Sequence, residues 1–96
     1  MEFEWNPEKA ERNLHKHGVA FGEAATVLRD PLGITVFDPD HSTSEDRYIT
    51  VGMSSRGRAV LVAHTDRGNT IRIISARELT RAERKAYEEE VQRRTE

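Results

Sequence analysis

Arginine is concentrated where little acid accompanies it. Residues 47–77 hold six arginines, at positions 47, 56, 58, 67, 72 and 77, and a single acid, Asp66. Their balance is +5, whereas residues 1–46 stand at -6 and residues 78–96 at -1, which returns the net charge of -2. Guanidinium groups present planar forks of donors that match phosphate and carboxylate oxygens. The same segment holds His64, and imidazole is the side chain that ordinarily exchanges a proton near neutral pH. Arginines beside a general base suit phosphoryl transfer, because charge grows on the non-bridging oxygens and fixed cations stabilise it. Arg47, Arg72 and Arg77 with His64 are therefore the candidate catalytic residues. Two plainer readings stand beside this one: a solvated basic face without a ligand, and a histidine hydrogen-bonded at the end of a strand.

Other chemistry-bearing residues point less far. Glu45 and Asp46 precede Arg47 and offer a second acid–base group, or else serve as loop acids and salt-bridge partners. His15 and His17 flank Lys16; two residues apart on a helix, they face away from each other and make no metal pair. Lys16 and His17 also suit the negative end of a helix dipole. His41 lies in an acidic loop and reads as solvated. There is no cysteine, no HExxH and no clustered His/Asp pattern, so neither a metal site nor a cofactor is expected. Phosphate-binding Walker loops, GxGxxG and GxSxG are absent as well. The chain lacks disulfides, an apolar run near the roughly 18 residues of a membrane span, and a leader pattern at its N-terminus. The expectation is a soluble cytoplasmic protein with no membrane contact.

The elements that must position these residues follow from periodicity. Phe3 and Trp5 alternate with acids, which predicts a short strand. Asn6-Pro7 supplies an N-cap and a proline at the first helical position, so a helix runs over 7–17 and stops at Gly18. Phe21, Ala24, Ala25 and Leu28 mark a second short helix, closed before Pro31. The period then changes to two. Strands are expected at 34–37, 47–53, 59–65 and 70–76, with a long polar loop over 38–46 and turns at 54–58 and 66–69. The pattern Thr80-Arg81-Ala82-Glu83 is a capping box that opens a third helix to about residue 94. The order β-α-α-β-β-β-β-α in 96 residues gives one α+β domain over 1–96, with a mainly antiparallel sheet and helices packed on one face. Leu14, Phe21, Leu28, Val51, Val62 and Ile73 are the expected core. Pairing about the 66–69 turn sets Thr65 opposite Thr70. A slip of one residue flips every side chain, so the faces of His64 and Arg72 stay open at this level.

Several of these residues together resemble a known family. The stretch Trp5-Asn6-Pro7, Lys9, Asn13, Lys16-His17-Gly18-Val19, Phe21 and Ala24 is similar to the N-terminal signature of the BrnT toxins of type II toxin–antitoxin systems. Glu45, Arg47, Gly52, the run Arg72-Ile73-Ile74-Ser75-Ala76-Arg77, then Arg84 and Tyr87 resemble the rest of that pattern. Asn6 and Ala20 depart from it, at positions that affect a helix cap by about 1 kcal/mol. The resemblance implies a RelE-like fold and a ribonuclease that arrests translation without a metal. It implies a BrnA-type antitoxin with a ribbon-helix-helix part, and contact with operator DNA only through that partner. On this reading a base removes the ribose 2′-OH proton and the oxygen attacks the adjacent phosphate. Arg47, Arg72 and Arg77 would hold the phosphate and His64 would move the proton, with RNA contacts from Lys16, His17, Arg56 and Arg58. The alternative is a non-catalytic basic module that binds an acidic protein or a nucleic acid. The relevant strands offer only Tyr48 as a stacking aromatic, which speaks against passive RNA binding.

Overall fold

A computed structural model describes residues 1–96. The chain runs β1 (Glu2–Glu4), α1 (Pro7–His17), α2 (Phe21–Val27), β2 (Ile34–Phe37), β3 (Arg47–Met53), β4 (Ala59–Arg67), β5 (Thr70–Glu78) and α3 (Arg81–Thr95). The five strands form one sheet in the order β1-β5-β4-β3-β2; β1 is parallel to β5 and every other pair is antiparallel.

Local chemistry explains where the elements begin and end. Asn6 Oδ1 accepts from the Glu8 and Lys9 amides at 2.8 and 3.2 Å, satisfying donors that the first turn of α1 leaves free. Gly18 closes the helix at φ 71°, and its N–H reaches the Leu14 carbonyl at 2.9 Å. The inward stripe of α1 is Ala10 and Asn13, and Leu14 is 50% exposed. Asn13 takes the inner position because its amide is fully used there. Nδ2 donates to the Val19 and Ala76 carbonyls at 2.9 and 2.8 Å, and Oδ1 accepts from the Ala76 amide at 3.1 Å. Since β1 covers β5 only from Thr70 to Arg72, this side chain stands in for a strand farther along the β5 edge.

Val19, Phe21, Ala24 and Val27 meet Val60, Val62, Ile73 and Ala76 in a buried core, with Phe3, Trp5, Ala10, Ala25 and Leu28 around it. Full burial of the valine, isoleucine and phenylalanine side chains among them stabilises by about 1.5–3 kcal/mol each. Of the expected core, Phe21, Val62 and Ile73 are buried, while Leu28 and Val51 are half-buried. Val51 faces away from this core because β3 turns Thr50 and Gly52 towards it instead. A Cβ at Gly52 would sit 3.0 Å from Asp30 Oδ2 and 3.2 Å from Val27 Cγ1, so glycine lets the end of α2 lie directly on the strand.

The other face of the sheet carries Ile34, Val51 and Leu61, and α3 lies against it through Ala86 and Tyr87. Thus α1 and α2 share one face and α3 takes the opposite one. Tyr87 is the only buried residue of α3. The capping box is formed: the Glu83 amide donates to Thr80 Oγ1 at 3.2 Å and the Thr80 amide to Glu83 Oε1 at 2.9 Å. Arg77 then clamps the same carboxylate with two N–H groups at 2.8 and 3.0 Å. The Arg77 guanidinium, joined by the Thr80 amide, holds the Glu83 carboxyl at about 2.

Candidate functional site: a cationic cleft at the β4–β5 turn

β4 runs two residues past the expected end, to Arg67, and the turn is only Gly68-Asn69, with Gly68 at φ 64°. The register therefore sets Thr65 opposite Arg72 rather than Thr70. On its other side Thr65 faces Arg47. Directly opposed residues share a face, so Arg47, Thr65 and Arg72 form one row across three strands. Arg67 is two residues farther along the same face of β4.

His64 lies on the opposite face, the one that α1 and α2 cover, and is buried. Its ring stacks on Tyr48 with centroids 6.0 Å apart. Nε2 meets Thr50 Oγ1 at 2.8 Å, Nδ1 meets Asp66 Oδ1 at 3.1 Å, and Thr50 continues to Thr35 Oγ1 at 2.7 Å. Ile74 is an extra residue in β5, so that His64 pairs with Ile73 while Ala63 pairs with Ser75. The sheet itself separates His64 from Arg47 and Arg72. Burial pushes its imidazole below the ordinary histidine range, with Asp66 pulling the other way.

That shift has a consequence for stability. The unfolded chain holds the His64 proton more readily than the folded one, so folding is favoured fully above about pH 6.5 and less as the pH falls below it. The urea midpoint should be lower at pH 5.5 than at pH 7.5, and His64→Gln should flatten that slope. An unchanged slope in the variant would show that His64 is not its source.

The loop over 38–46 folds back to wall the arginine row. The Asp38 amide donates to the Arg47 carbonyl at 2.8 Å, and Ser42 Oγ donates to the Asp38 carbonyl at 2.6 Å and accepts from the Arg47 amide at 2.8 Å. A short 3-10 turn, Pro39–His41, sits inside this bracket. The result is a cleft of about 250 Å³. Lys9 reaches it from α1, His41, Thr43, Ser44 and Glu45 from the loop, and Arg47, Thr65, Arg67, Arg72 and Ile74 from the sheet.

Four cations thus surround one carboxylate. Arg67 binds Glu45 with two N–H groups at 2.9 and 2.8 Å and approaches Glu4 at 3.4 Å, and Arg72 lies 3.7 Å from Glu4. The Arg67 guanidinium keeps the Glu45 carboxyl below its usual range. Arg47 and Lys9 have no acidic partner. Thr65 Oγ1 is buried without a hydrogen-bond partner, and it is the only side-chain polar atom in that condition.

The other residues singled out from sequence lie elsewhere. Arg77 shares the face of the row but is held by Glu83, away from the cleft. Arg58 is bound to Glu23 and to the Gly18 carbonyl at the far end of the sheet, where Lys16 and His17 also end α1. Arg56 is exposed in the β3–β4 turn at that same end. The structure therefore brings Arg47 and Arg72 together and leaves out Arg77, Arg56, Arg58, Lys16, His17 and His64. Sequence reasoning missed Lys9, His41, Thr65 and Arg67. Arg67 was visible in the arginine count; its place in the row needed the true end of β4.

Comparison with known proteins completes the assignment. The family model described as ribonuclease toxin, BrnT, of type II toxin–antitoxin system matches residues 5–83. The chain belongs to the BrnT toxin family. The 1.1 Å crystal structure of the Brucella abortus ribonuclease toxin BrnT superimposes with a TM-score of 0.62 at 23% identity, over 84% of this chain and 99% of that one. That likeness supports the mixed α+β fold with a mostly antiparallel five-stranded sheet. No curated protein matches. Two sets stand out among the BrnT-like residues. Asn13, Gly18, Phe21 and Gly52 build the fold. Lys9, Glu45, Arg47 and Arg72 line the cleft. The family match ends at Glu83, in the first turn of α3, so most of that helix lies beyond it.

Proposed function

We propose that this BrnT-family chain is a metal-independent endoribonuclease that arrests translation by cutting RNA, with the scissile phosphate in the cationic cleft. The observation that carries this reading is the row Arg47-Thr65-Arg72, flanked by Lys9 and Arg67, around a hydroxyl with no partner of its own. A phosphate there meets forked donors from several directions and an unused O–H. Attack by the ribose 2′-oxygen forms a bond to phosphorus while the bond to the 5′-oxygen breaks, leaving a cyclic phosphate and a 5′-hydroxyl. Fixed cations favour the pentacovalent state because its charge is larger on the non-bridging oxygens. A divalent ion suits this lining poorly, since the only carboxylate in it is already bonded to Arg67.

The partner on this reading is a BrnA-type antitoxin with a ribbon-helix-helix part, and the complex binds operator DNA through that part. Both partners place the chain in the cytoplasm. An antitoxin segment that covers the cleft is acidic, and its association slows as salt is added.

The test uses purified chain with RNA, with and without ribosomes. RNA should be cut, the same sequence carrying a 2′-deoxy sugar at the cleaved position should stay intact, and a chelator should change nothing. Intact RNA under all conditions, with tight antitoxin binding, would establish the non-catalytic module instead.

A further inference from the structure

Resting on the ribonuclease reading of the cleft, we propose that His41 takes the proton from the attacking 2′-hydroxyl and that Asp38 positions it. His64 stands behind the sheet, which leaves the cleft in need of a proton acceptor. Its cations have none to offer at neutral pH. Its carboxylate, Glu45, is engaged by Arg67 and held ionised as a weak base.

His41 meets the geometric requirements. His41 lines the cleft and its side chain is 65% exposed, whereas that of Asp38 is 12% exposed. Nδ1 lies 2.8 Å from Asp38 Oδ2. A carboxylate there accepts the Nδ1–H, which fixes the tautomer and leaves the Nε2 lone pair as the base. Asp38 is in turn fixed at both backbone groups, by the Arg47 carbonyl and the Ser42 hydroxyl. The dyad is thereby tied to the start of β3, next to the arginine row. The charged groups that share the cleft with the ring are Lys9 from α1, Glu45 from the loop, and Arg47, Arg67 and Arg72 from the sheet. In the step itself, the 2′-O–H proton passes to Nε2 as the oxygen bonds to phosphorus. The departing 5′-oxygen takes a proton from water, and the imidazolium returns its own to the hydroxide left behind.

The experiment measures kcat and KM on an RNA oligonucleotide for the wild-type chain, His41→Gln and Asp38→Asn, with thermal melts and binding of the 2′-deoxy oligonucleotide. His41→Gln should lower kcat by about a hundredfold or more. Its KM, its 2′-deoxy binding and its Tm should stay at wild-type values. Asp38→Asn should lower kcat by at least about tenfold with KM unmoved, as loss of an orienting carboxylate does. A wild-type chain that does not cut RNA would overturn the ribonuclease reading and this proposal with it. An active wild type with a His41→Gln variant within about threefold of it in kcat would overturn the His41 assignment alone. An Asp38→Asn effect confined to Tm or KM would reduce Asp38 to a structural residue.

Discussion

Arg72→Ala and Arg47→Ala should each leave a folded chain whose RNA cleavage is down by about a hundredfold or more. Loss of one fixed donor to a developing oxyanion costs roughly 3–4 kcal/mol in the transition state. Neither side chain holds the fold together: Arg47 has no ion pair and Arg72 has one long contact to Glu4 at 3.7 Å. Melting temperatures should therefore hold while kcat/KM falls. Thr65→Val sharpens the test. The Thr65 hydroxyl has no partner in the protein, and burying such a group costs stability. Its removal should leave Tm equal or higher and yet weaken cleavage. Equal activity in all three variants would move the RNA site away from this row.

The largest stability loss is expected at the other end of the sheet. Glu23 has a side chain only 6% exposed, and its carboxylate is satisfied by Arg58 Nε at 2.9 Å, a second, shorter Arg58 N–H contact, and the Ser54 hydroxyl at 2.7 Å. The Arg58 side chain is 25% exposed and also donates to the Gly18 carbonyl at 3.0 Å, joining the end of α1, α2 and the β3–β4 turn. Arg58→Ala leaves a buried carboxylate with one hydroxyl partner. Breaking a pair of this kind costs about 3–5 kcal/mol, a large share of the 5–15 kcal/mol that holds a domain of ordinary stability. The midpoint of thermal unfolding should fall by more than about 10 °C. Adding Glu23→Gln should recover part of the loss, because the stranded group is then neutral. Cleavage per folded molecule should be unchanged, measured well below the new midpoint; a selective loss there would return Arg58 to the RNA-contacting set.

The contrast between Arg58 and Arg47 shows what sequence can and cannot convey. Both belong to the arginine-rich segment, and both looked equally available. Glu23 sits 35 positions from Arg58, and nothing local marks it as the partner that removes Arg58 from solvent. The elements themselves were legible because caps and periods are local: Asn6, Gly18 and the Thr80–Glu83 box bound the helices where expected. Side-chain faces were less so. Leu14 lost the inner position to Asn13 because an amide could reach the β5 edge 63 residues away. His64 and Arg72 could not be assigned faces without the end of β4 and the extra residue Ile74. His41 is solvated, as its loop position implied, but its place beside Arg47 was hidden because the hydrogen bonds that fold residues 38–46 back run through a serine hydroxyl and backbone groups.

The parallel pairing of β1 with β5 orders events during synthesis. Glu2, Phe3 and Glu4 pair with Thr70, Ile71 and Arg72, so the first strand waits for the last one. Lys9 and Arg72 meet in the cleft only when that long loop closes. A nascent chain emerging from the ribosome therefore carries Arg47 and the 38–46 loop into solvent well before the cleft exists. Every prematurely terminated product that stops short of Arg72 lacks one wall of it. On the ribonuclease reading proposed above, the chain cannot cut RNA until β5 has joined the sheet, and a partner has that interval in which to arrive.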